Sequence, residues 1–345
     1  ALVVVDGTSP KFLSAGQTHQ GVKLLGVAGD TATVDVGGRQ HTLRVGEAPV
    51  SIGSSASQKT EVLRGLTSSA GIPDATAPEG GAKVVVFGDS HASGTNAPFD
   101  VDERGCLKGN QSWPDQLQAQ QGLQQGELID LSCNGASINS TGFHFSDEVR
   151  HAEALGAIGP NTENIFIQFG KNDQWGHSPI NLRYSVINCL FDAANGCGEK
   201  AVVAGTMQDP SSVTGENYAQ RMKPVIDYLK YYAPNAQITL LGYQEYTPRS
   251  GSEICVRVGG TELRKPDATN LVSYMNNLES AIFEASEILD VQHANLREAT
   301  AGHSSCSAEP WVNGVLDMRV NAVGGTWHPS PKGDEVTAGL LGTLM

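Results

Sequence analysis

Four short polar segments contain residue types that can together perform nucleophilic catalysis. Ser90 stands in Phe-Gly-Asp-Ser-His, where a glycine-preceded turn after an apolar run can project its hydroxyl into a crevice. Gly135 follows a second apolar run, and its backbone N–H can approach a ligand closely. Asn172 follows a third run and offers a side-chain amide that can donate to a developing negative charge. His328, in Thr-Trp-His-Pro, supplies an imidazole that can act as a general base.

The elements that would position these residues follow from the pattern after residue 81. Apolar runs of strand length alternate there with longer amphipathic stretches, which predicts an α/β fold with a mainly parallel sheet. In such folds, ligands bind beyond the carboxyl ends of the strands. The predicted strands are Lys83–Phe87, Glu127–Leu131, Ile165–Phe169, Ala201–Gly205 and Gln237–Gly242. The predicted helices are Gln111–Gln121, Asp147–Ile158, Asn217–Tyr232, Asn270–Ser286 and a last one that begins near Pro331.

The N-terminal part has a different character. Residues 1–50 contain short runs rich in β-branched residues, and glycine pairs such as Gly37-Gly38 suit hairpin turns between them. We therefore expect a small β domain over 1–50. Residues 51–81 are rich in Ser, Gly and Pro, a composition typical of a linker. The remaining residues, 82–345, form the predicted catalytic domain.

Composition and charge exclude several classes of protein. The chain has 345 residues, with 23 basic against 37 acidic side chains and a net charge of −14, which argues against nucleic-acid binding. No apolar run approaches the roughly 18 residues that would span a bilayer, so no integral membrane segment is expected. The chain begins at Ala1 without Met, as expected of a mature form that has lost a signal peptide, or of a trimmed chain.

The six cysteines indicate the compartment. None lies in a CxxC pair or at zinc-finger spacing from a histidine, so no metal site is expected. An even number favours three disulfides and an oxidising, secreted or periplasmic location, and six buried thiols in a cytosolic protein are the alternative. By themselves, six cysteines allow 15 pairings. They are Cys106, Cys133, Cys189, Cys197, Cys255 and Cys306.

The order of the four polar segments resembles the SGNH hydrolase superfamily, also called the GDSL esterases and lipases, over residues 82–345. The resemblance implies a three-layer α/β/α, flavodoxin-like fold. It also implies that Ser90 is the nucleophile and that His328 is the base. The Ser90 N–H, Gly135 and Asn172 would form the oxyanion hole, and neither a cofactor nor a metal would be needed.

One position departs from the family pattern. The family usually has an aspartate three residues before the histidine, where this chain has Gly325. Some secreted bacterial members replace that carboxylate with a backbone carbonyl, so we expect the main-chain oxygen of Gly325 or of a neighbour to hold His328 in a Ser-His dyad. The nearest carboxylates in the sequence, Asp317 and Asp334, lack the family spacing.

The same resemblance suggests details around this dyad. The cysteines resemble those of secreted members with three sequential disulfides, so by resemblance they pair in order along the chain. His91, Trp327 and Asp173 are the candidates for substrate contacts, with a structural role as the alternative for His91 and Asp173. The substrate would be a small-molecule, lipid or carbohydrate ester.

The leading prediction is a secreted carboxylesterase or lipase. A xylan or polysaccharide O-acetylesterase, an O-acyltransferase and a binding module that has lost turnover are the alternatives. No motif identifies a partner for the N-terminal β domain.

Overall fold

The computed structural model describes residues 2–3, 5, 11–28, 31–44 and 80–345, apart from 141, 177, 193 and 248. The chain divides into two compact units, Ala1–Glu79 and Gly80–Met345. Nearly all of the proposed linker at 51–81 lies outside the described residues. Within the described residues, no helix has the length and apolar character needed to cross a membrane.

The N-terminal unit contains small antiparallel sheets, as the β-branched runs predict. Strand β1 pairs with β2, and β3 to β6 form a four-stranded sheet in chain order. The turn between β5 and β6 is formed by Gly37 and Gly38, both with positive φ (61° and 83°), as a type I′ hairpin turn requires. The strands are β1 Leu2–Val3, β2 Lys11–Phe12, β3 Thr18–His19, β4 Val22–Ala28, β5 Thr31–Val36 and β6 Arg39–Arg44.

The larger unit is built on a five-stranded parallel sheet, which confirms the predicted fold class. Its order is β10-β7-β11-β12-β15. Every residue of β7 and β11 is buried, because helices cover both faces of a parallel sheet, and apolar side chains fill β7 and the middle of β11. The sheet strands are β7 Val84–Gly88, β10 Leu128–Asp130, β11 Asn164–Gln168, β12 Gln237–Leu241 and β15 Gln292–Ala294.

Helices and two hairpins surround this sheet. The helices are α1 Ser90–Ser93, α2 Trp113–Gln120, α3 Phe145–Ala154, α4 Leu182–Phe191, α5 Glu199–Val203, α6 Gly215–Tyr232, α7 Thr269–Leu289, α8 Leu296–Ala299 and α9 Pro331–Gly342. The hairpins pair β8 Phe99–Val101 with β9 Leu107–Gly109, and β13 Ile254–Val258 with β14 Thr261–Lys265.

One predicted strand is wrong. The segment Ala201–Gly205 lies in and just after helix α5, and the last sheet strand is instead β15, which pairs with β12. A short apolar run does not distinguish a strand from a helix by pattern alone. Here Gly198 is the N-cap of a short helix, and the chain turns away after that helix at Gly205, which has φ of 70°. Val203 is 80% exposed, which a strand inside a parallel sheet would not allow.

Candidate active site

The carboxyl ends of three neighbouring strands bring the polar segments together. β7, the first strand of the sheet along the chain, lies between β10, the second, and β11, the third. The chain therefore runs from β7 to β10 on one side and then returns past β7 to β11 on the other, and this reversal opens a crevice at the ends of β7 and β11. Ser90 follows β7, Gly135 follows β10 and Asn172 follows β11, so chain topology alone places all three around one crevice.

Ser90 and His328 form a hydrogen-bonded pair in this crevice. His328 Nε2 lies 2.8 Å from Ser90 Oγ, although the two residues are 238 positions apart in the chain. His328 Nδ1 lies 3.0 Å from the carbonyl oxygen of Thr326. Because a carbonyl oxygen can only accept, Nδ1 carries the proton and Nε2 accepts from the serine hydroxyl. This tautomer is the one in which an imidazole can remove the hydroxyl proton.

The expected carbonyl partner of the histidine belongs to the neighbour of Gly325. The oxygen of Gly325 accepts the backbone N–H of His328 at 3.1 Å, while that of Thr326 holds the ring. A Cβ at Gly325 would lie 2.8 Å from Thr95 Cβ, so the space for an aspartate is already filled. Asp317 pairs with Arg319 and Asp334 accepts from Asn96, so these carboxylates are used elsewhere.

The loop that carries His328 is fixed by backbone and amide hydrogen bonds. Asn313 N–H donates to His328 O at 2.8 Å, and Trp327 N–H donates to Asn313 O at 2.9 Å. Asn96 ties this loop to the segment after α1: its side chain donates to Pro329 O and accepts from Asn313. Ser330 then caps α9, with Pro331 at the first helical position, so the base stands just before a well-defined helix start.

The surroundings of His328 keep its imidazole neutral. The low-polarity surroundings disfavour the imidazolium and lower the pKa of His328 from 6.5 to about 3, and the nearby His91 acts in the same direction. A neutral imidazole is the form that can accept the serine proton, so His328 is ready to act as a base across the neutral and mildly acidic pH range.

The candidate oxyanion donors are supported by a shared loop. Gly135 has φ of 81°, a left-handed conformation that favours glycine. The Asn172 amide donates one hydrogen to Ala136 O at 2.9 Å, which joins the loop after β11 to the loop after β10. The second amide hydrogen is not needed for that bond. Since Cys133 N–H donates to Gly88 O, the Gly135 loop is also tied to the end of β7.

Asp173 anchors this loop from inside the protein. The fully buried carboxylate accepts from the backbone N–H of Ile138 at 3.0 Å and from the hydroxyl of Ser140 at 3.1 Å. Arg221, in α6, forms an ion pair with the same carboxylate. These contacts give the side chain a structural role, and its contact with a substrate stays a prediction. No local sequence signal marked Arg221, which lies inside an ordinary amphipathic helix.

His91 and Trp327 are also buried. His91 is 4% exposed, and its ring stacks on that of His328 with centroids 4.3 Å apart. Trp327 is 9% exposed, with φ of 57°, an uncommon conformation for a bulky residue that places strain directly before the base. The His91 ring therefore contacts the His328 ring from inside the protein, while Trp327 is the buried residue that precedes His328 in the chain. Sequence reasoning missed Lys171 and Tyr243, which surround His91.

The disulfide pairing implied by the resemblance is confirmed, since the cysteines pair in order along the chain. Cys106–Cys133 joins the β8–β9 hairpin to the loop that carries Gly135. The other two bridges are Cys189–Cys197 and Cys255–Cys306. In the described part of the chain, one cluster of three potential metal ligands was found, Cys255, Glu262 and Cys306, and its two sulfur atoms are joined to each other.

Comparison with known families identifies the family of this chain. The GDSL-like lipase/acylhydrolase family matches residues 86–336, which is most of the chain. The chain belongs to this family. Two relatives of this GDSL-family chain are Lipase 1 of Streptomyces coelicolor, 23% identical over 251 residues, and a lipase of Streptomyces rimosus, 25% identical over 253 residues. Each alignment covers 72% of this chain and 81% of the relative.

Two solved structures share the fold of this GDSL-family chain. The extracellular lipase of Streptomyces rimosus has a TM-score of 0.53 at 19% identity, over 76% of this chain and 100% of that one. Phospholipase A1 of Streptomyces albidoflavus NA297 has a TM-score of 0.56 at 19% identity, over 76% and 99%. At this identity the likeness establishes the fold and leaves the substrate open.

Proposed function

We propose that the chain is a serine esterase that hydrolyses carboxylic esters through an acyl-enzyme on Ser90, with His328 as the general base. The observation that carries this proposal is the 2.8 Å contact between Ser90 Oγ and His328 Nε2 at the crevice where the ends of β7 and β11 meet. Membership of the GDSL-like lipase/acylhydrolase family supports ester substrates.

In the first half-reaction, Ser90 Oγ attacks the ester carbonyl carbon and its proton passes to His328 Nε2. The carbonyl oxygen becomes an oxyanion, which the N–H groups of Ser90 and Gly135 and the amide of Asn172 would stabilise. The tetrahedral intermediate collapses, His328 returns the proton to the leaving alkoxide, and the alcohol departs. Ser90 now carries the acyl group as an ester.

In the second half-reaction, His328 takes a proton from water as the water attacks the acyl carbon. Collapse releases the carboxylic acid, and the proton returns to Ser90 Oγ, so ester and water become acid and alcohol. The imidazolium that forms in each half-reaction donates through Nδ1 to Thr326 O. A carbonyl dipole stabilises a cation less than a carboxylate does, and the rigid loop compensates by keeping the ring oriented.

The three disulfides and the extracellular lipase among the structural relatives support an extracytoplasmic location. The substrate is proposed to be a lipid or other small carboxylic ester. The acetylesterase and acyltransferase alternatives have the same nucleophile and differ in the acyl group or in the acceptor.

The test is hydrolysis of p-nitrophenyl esters from acetate to palmitate by the wild-type chain, Ser90→Ala and Ser93→Ala. Ser93 is the matched control because it lies in the same helix, is buried and has a hydroxyl with no hydrogen-bond partner. We expect Ser90→Ala to abolish turnover and labelling by a fluorophosphonate, and Ser93→Ala to retain both.

The chain-length profile then separates the candidates. A maximum at acetate favours a carbohydrate acetylesterase, and activity up to palmitate favours a lipase. Equal activity of Ser90→Ala and the wild type would refute the serine mechanism. A folded wild-type chain without labelling or turnover would leave the non-catalytic module as the better account.

A further inference from the structure

A second histidine lies directly behind the base. His91 immediately follows Ser90, and its ring is stacked on that of His328, with an angle of 20° between the planes. Stacking of this kind leaves both edges of the His328 ring free, so Nε2 can contact Ser90 while Nδ1 contacts Thr326. The His91 ring therefore restrains the plane of the base without competing for its hydrogen bonds.

The plane of His91 is itself fixed from two sides. Asp89, which is fully buried, has Oδ1 3.0 Å from His91 Nδ1, and its other oxygen accepts from Tyr243 at 2.7 Å. A carboxylate accepts, so His91 Nδ1 carries the proton of the neutral ring. His91 Nε2 then keeps a lone pair, and the carbonyl oxygen of Trp327 lies 3.3 Å from it. Lys171 Nζ lies at the same distance of 3.3 Å from Nε2, and of these two neighbours it is the one that can donate to the lone pair.

Lys171 reaches this position through an aromatic cage. Its Nζ lies 3.2 Å from the ring centroid of Tyr246 and 4.3 Å from that of Tyr243. The side chain is 6% exposed, and both rings can stabilise an ammonium group that has lost its water. Burial lowers the pKa of this amine, while the Asp89 carboxylate acts in the opposite direction. Burying a charged amine costs free energy, which indicates that Lys171 has a role beside His328.

We propose that His91 is a positioning residue for the base, held in plane by Asp89 and Lys171, and that this buried assembly orients His328 in place of the absent aspartate. The inference rests on the proposed function, since it assigns a role in the same dyad. It accounts for two features at once: a base whose ring is held by one carbonyl, and a buried lysine against its supporting ring.

The assembly also sets the charge around the base. The titratable groups that face the two histidine rings are Asp89 from the β7–α1 turn, Lys171 from the loop after β11, and Tyr243 and Tyr246 from the loop after β12. Arg297 and Glu279 act on Lys171 from further away and with opposite signs. Since an ammonium beside a ring opposes its protonation, Lys171 helps to keep His328 neutral.

The test compares His91→Ala, which removes the stacked ring, with the double variant His91→Phe/Lys171→Met, which keeps a flat ring and leaves no unpaired ammonium. Activity on p-nitrophenyl acetate is divided by the amount of Ser90 titrated with fluorophosphonate. We expect kcat of His91→Ala to fall about 10²-fold with little change in KM, because misplacing a catalytic group by about 1 Å costs that much. The double variant should recover part of this loss, because it restores a stacked ring but not the bonds of that ring to Asp89 and Lys171.

The pH dependence of kcat/KM distinguishes the proposed role from a purely structural one, which would leave this dependence unchanged. Removing the ammonium in Lys171→Met should raise the acid limb of kcat/KM by about 0.5–1 pH unit. His151→Ala is the matched control, since this histidine pairs with Glu103 on the surface of α3, and it should behave as the wild type.

Two results would overturn the inference. One is a kcat per titrated serine in His91→Ala within about twofold of the wild type. The other is an unchanged acid limb in Lys171→Met together with no recovery in the double variant. Failure of the proposed function would look different, because the wild-type chain would then show no Ser90-dependent turnover at all.

Discussion

Replacing Asn172 by alanine removes two interactions of one amide group, the proposed bond to the oxyanion and the bond to Ala136, and their effects on kcat and on stability can be measured separately. One amide hydrogen of Asn172 is engaged by Ala136 O at 2.9 Å, which leaves the other for a substrate oxyanion. Removing one such donor typically lowers kcat about 10²–10³-fold, or about 3–4 kcal/mol of transition-state stabilisation. The lost bond to Ala136 contributes about 1 kcal/mol to the free energy of unfolding.

The chain provides a matched control for this variant. Asn188, in α4, donates its amide to Thr206 O at 2.7 Å and is similarly part-buried. Asn188→Ala should therefore lose about 1 kcal/mol of unfolding free energy and retain kcat. Asn172→Asp should lose more activity than Asn172→Ala, because a carboxylate cannot donate and its charge repels the oxyanion.

The assay measures kcat on p-nitrophenyl acetate per titrated Ser90, with urea unfolding of each variant alongside. If Asn172→Ala kept kcat within about threefold of the wild type, the assignment of this amide to the oxyanion hole would be wrong. An equal loss of kcat in Asn188→Ala would show instead that general loosening explains the effect.

Three further predictions follow from the same geometry. Because burial lowers the pKa of His328 to about 3, kcat/KM should stay at its plateau well below pH 6.5, and an acid limb near 6.5 in the pH–rate profile would contradict this. The free energy of unfolding should fall as the pH decreases from 6.5, because His328 takes up a proton on unfolding, and urea titrations at several pH values measure this fall. Gly325→Asp should lower both the melting temperature and kcat, because its Cβ would lie 2.8 Å from Thr95 Cβ; a gain in kcat would show that the aspartate can be accommodated. Replacing Cys106 and Cys133 together by serine opens a loop of 27 residues and should cost about 3.5 kcal/mol of unfolding free energy, with a fall in kcat as the Gly135 loop loosens; unchanged urea unfolding would refute it.

Local patterns were sufficient for much of the fold. Four of the five predicted strands are present with their ends shifted by one residue or so, because fully apolar runs such as Val84–Gly88 have a single stable environment, a sheet covered on both faces. The strand predicted at Ala201–Gly205 is a helix, and β15 was not predicted. Both segments are short, and short runs carry too little periodicity to decide their structure.

The candidate site residues could be identified from the sequence, but the contacts that hold them in place could not. Ser90, Gly135, Asn172 and His328 stand beside strand or helix ends, where local rules apply. The contacts that hold them join residues that are distant in the chain: Asp173 with Arg221, and His91 with His328. Such pairs leave no local trace, since each partner on its own is an ordinary residue of a loop or a helix.

The sequence by itself determined four of the five sheet strands, the family pattern and the residue types available for chemistry, because these depend on neighbours in the chain. Tertiary structure decided which carbonyl holds the base, with Thr326 in that position, and it decided that Asp173 and His91 face inward. The physical reason is that hydrogen-bond geometry and burial depend on how separate segments pack, and a shift of one peptide unit is enough to exchange the carbonyl that meets a given ring nitrogen.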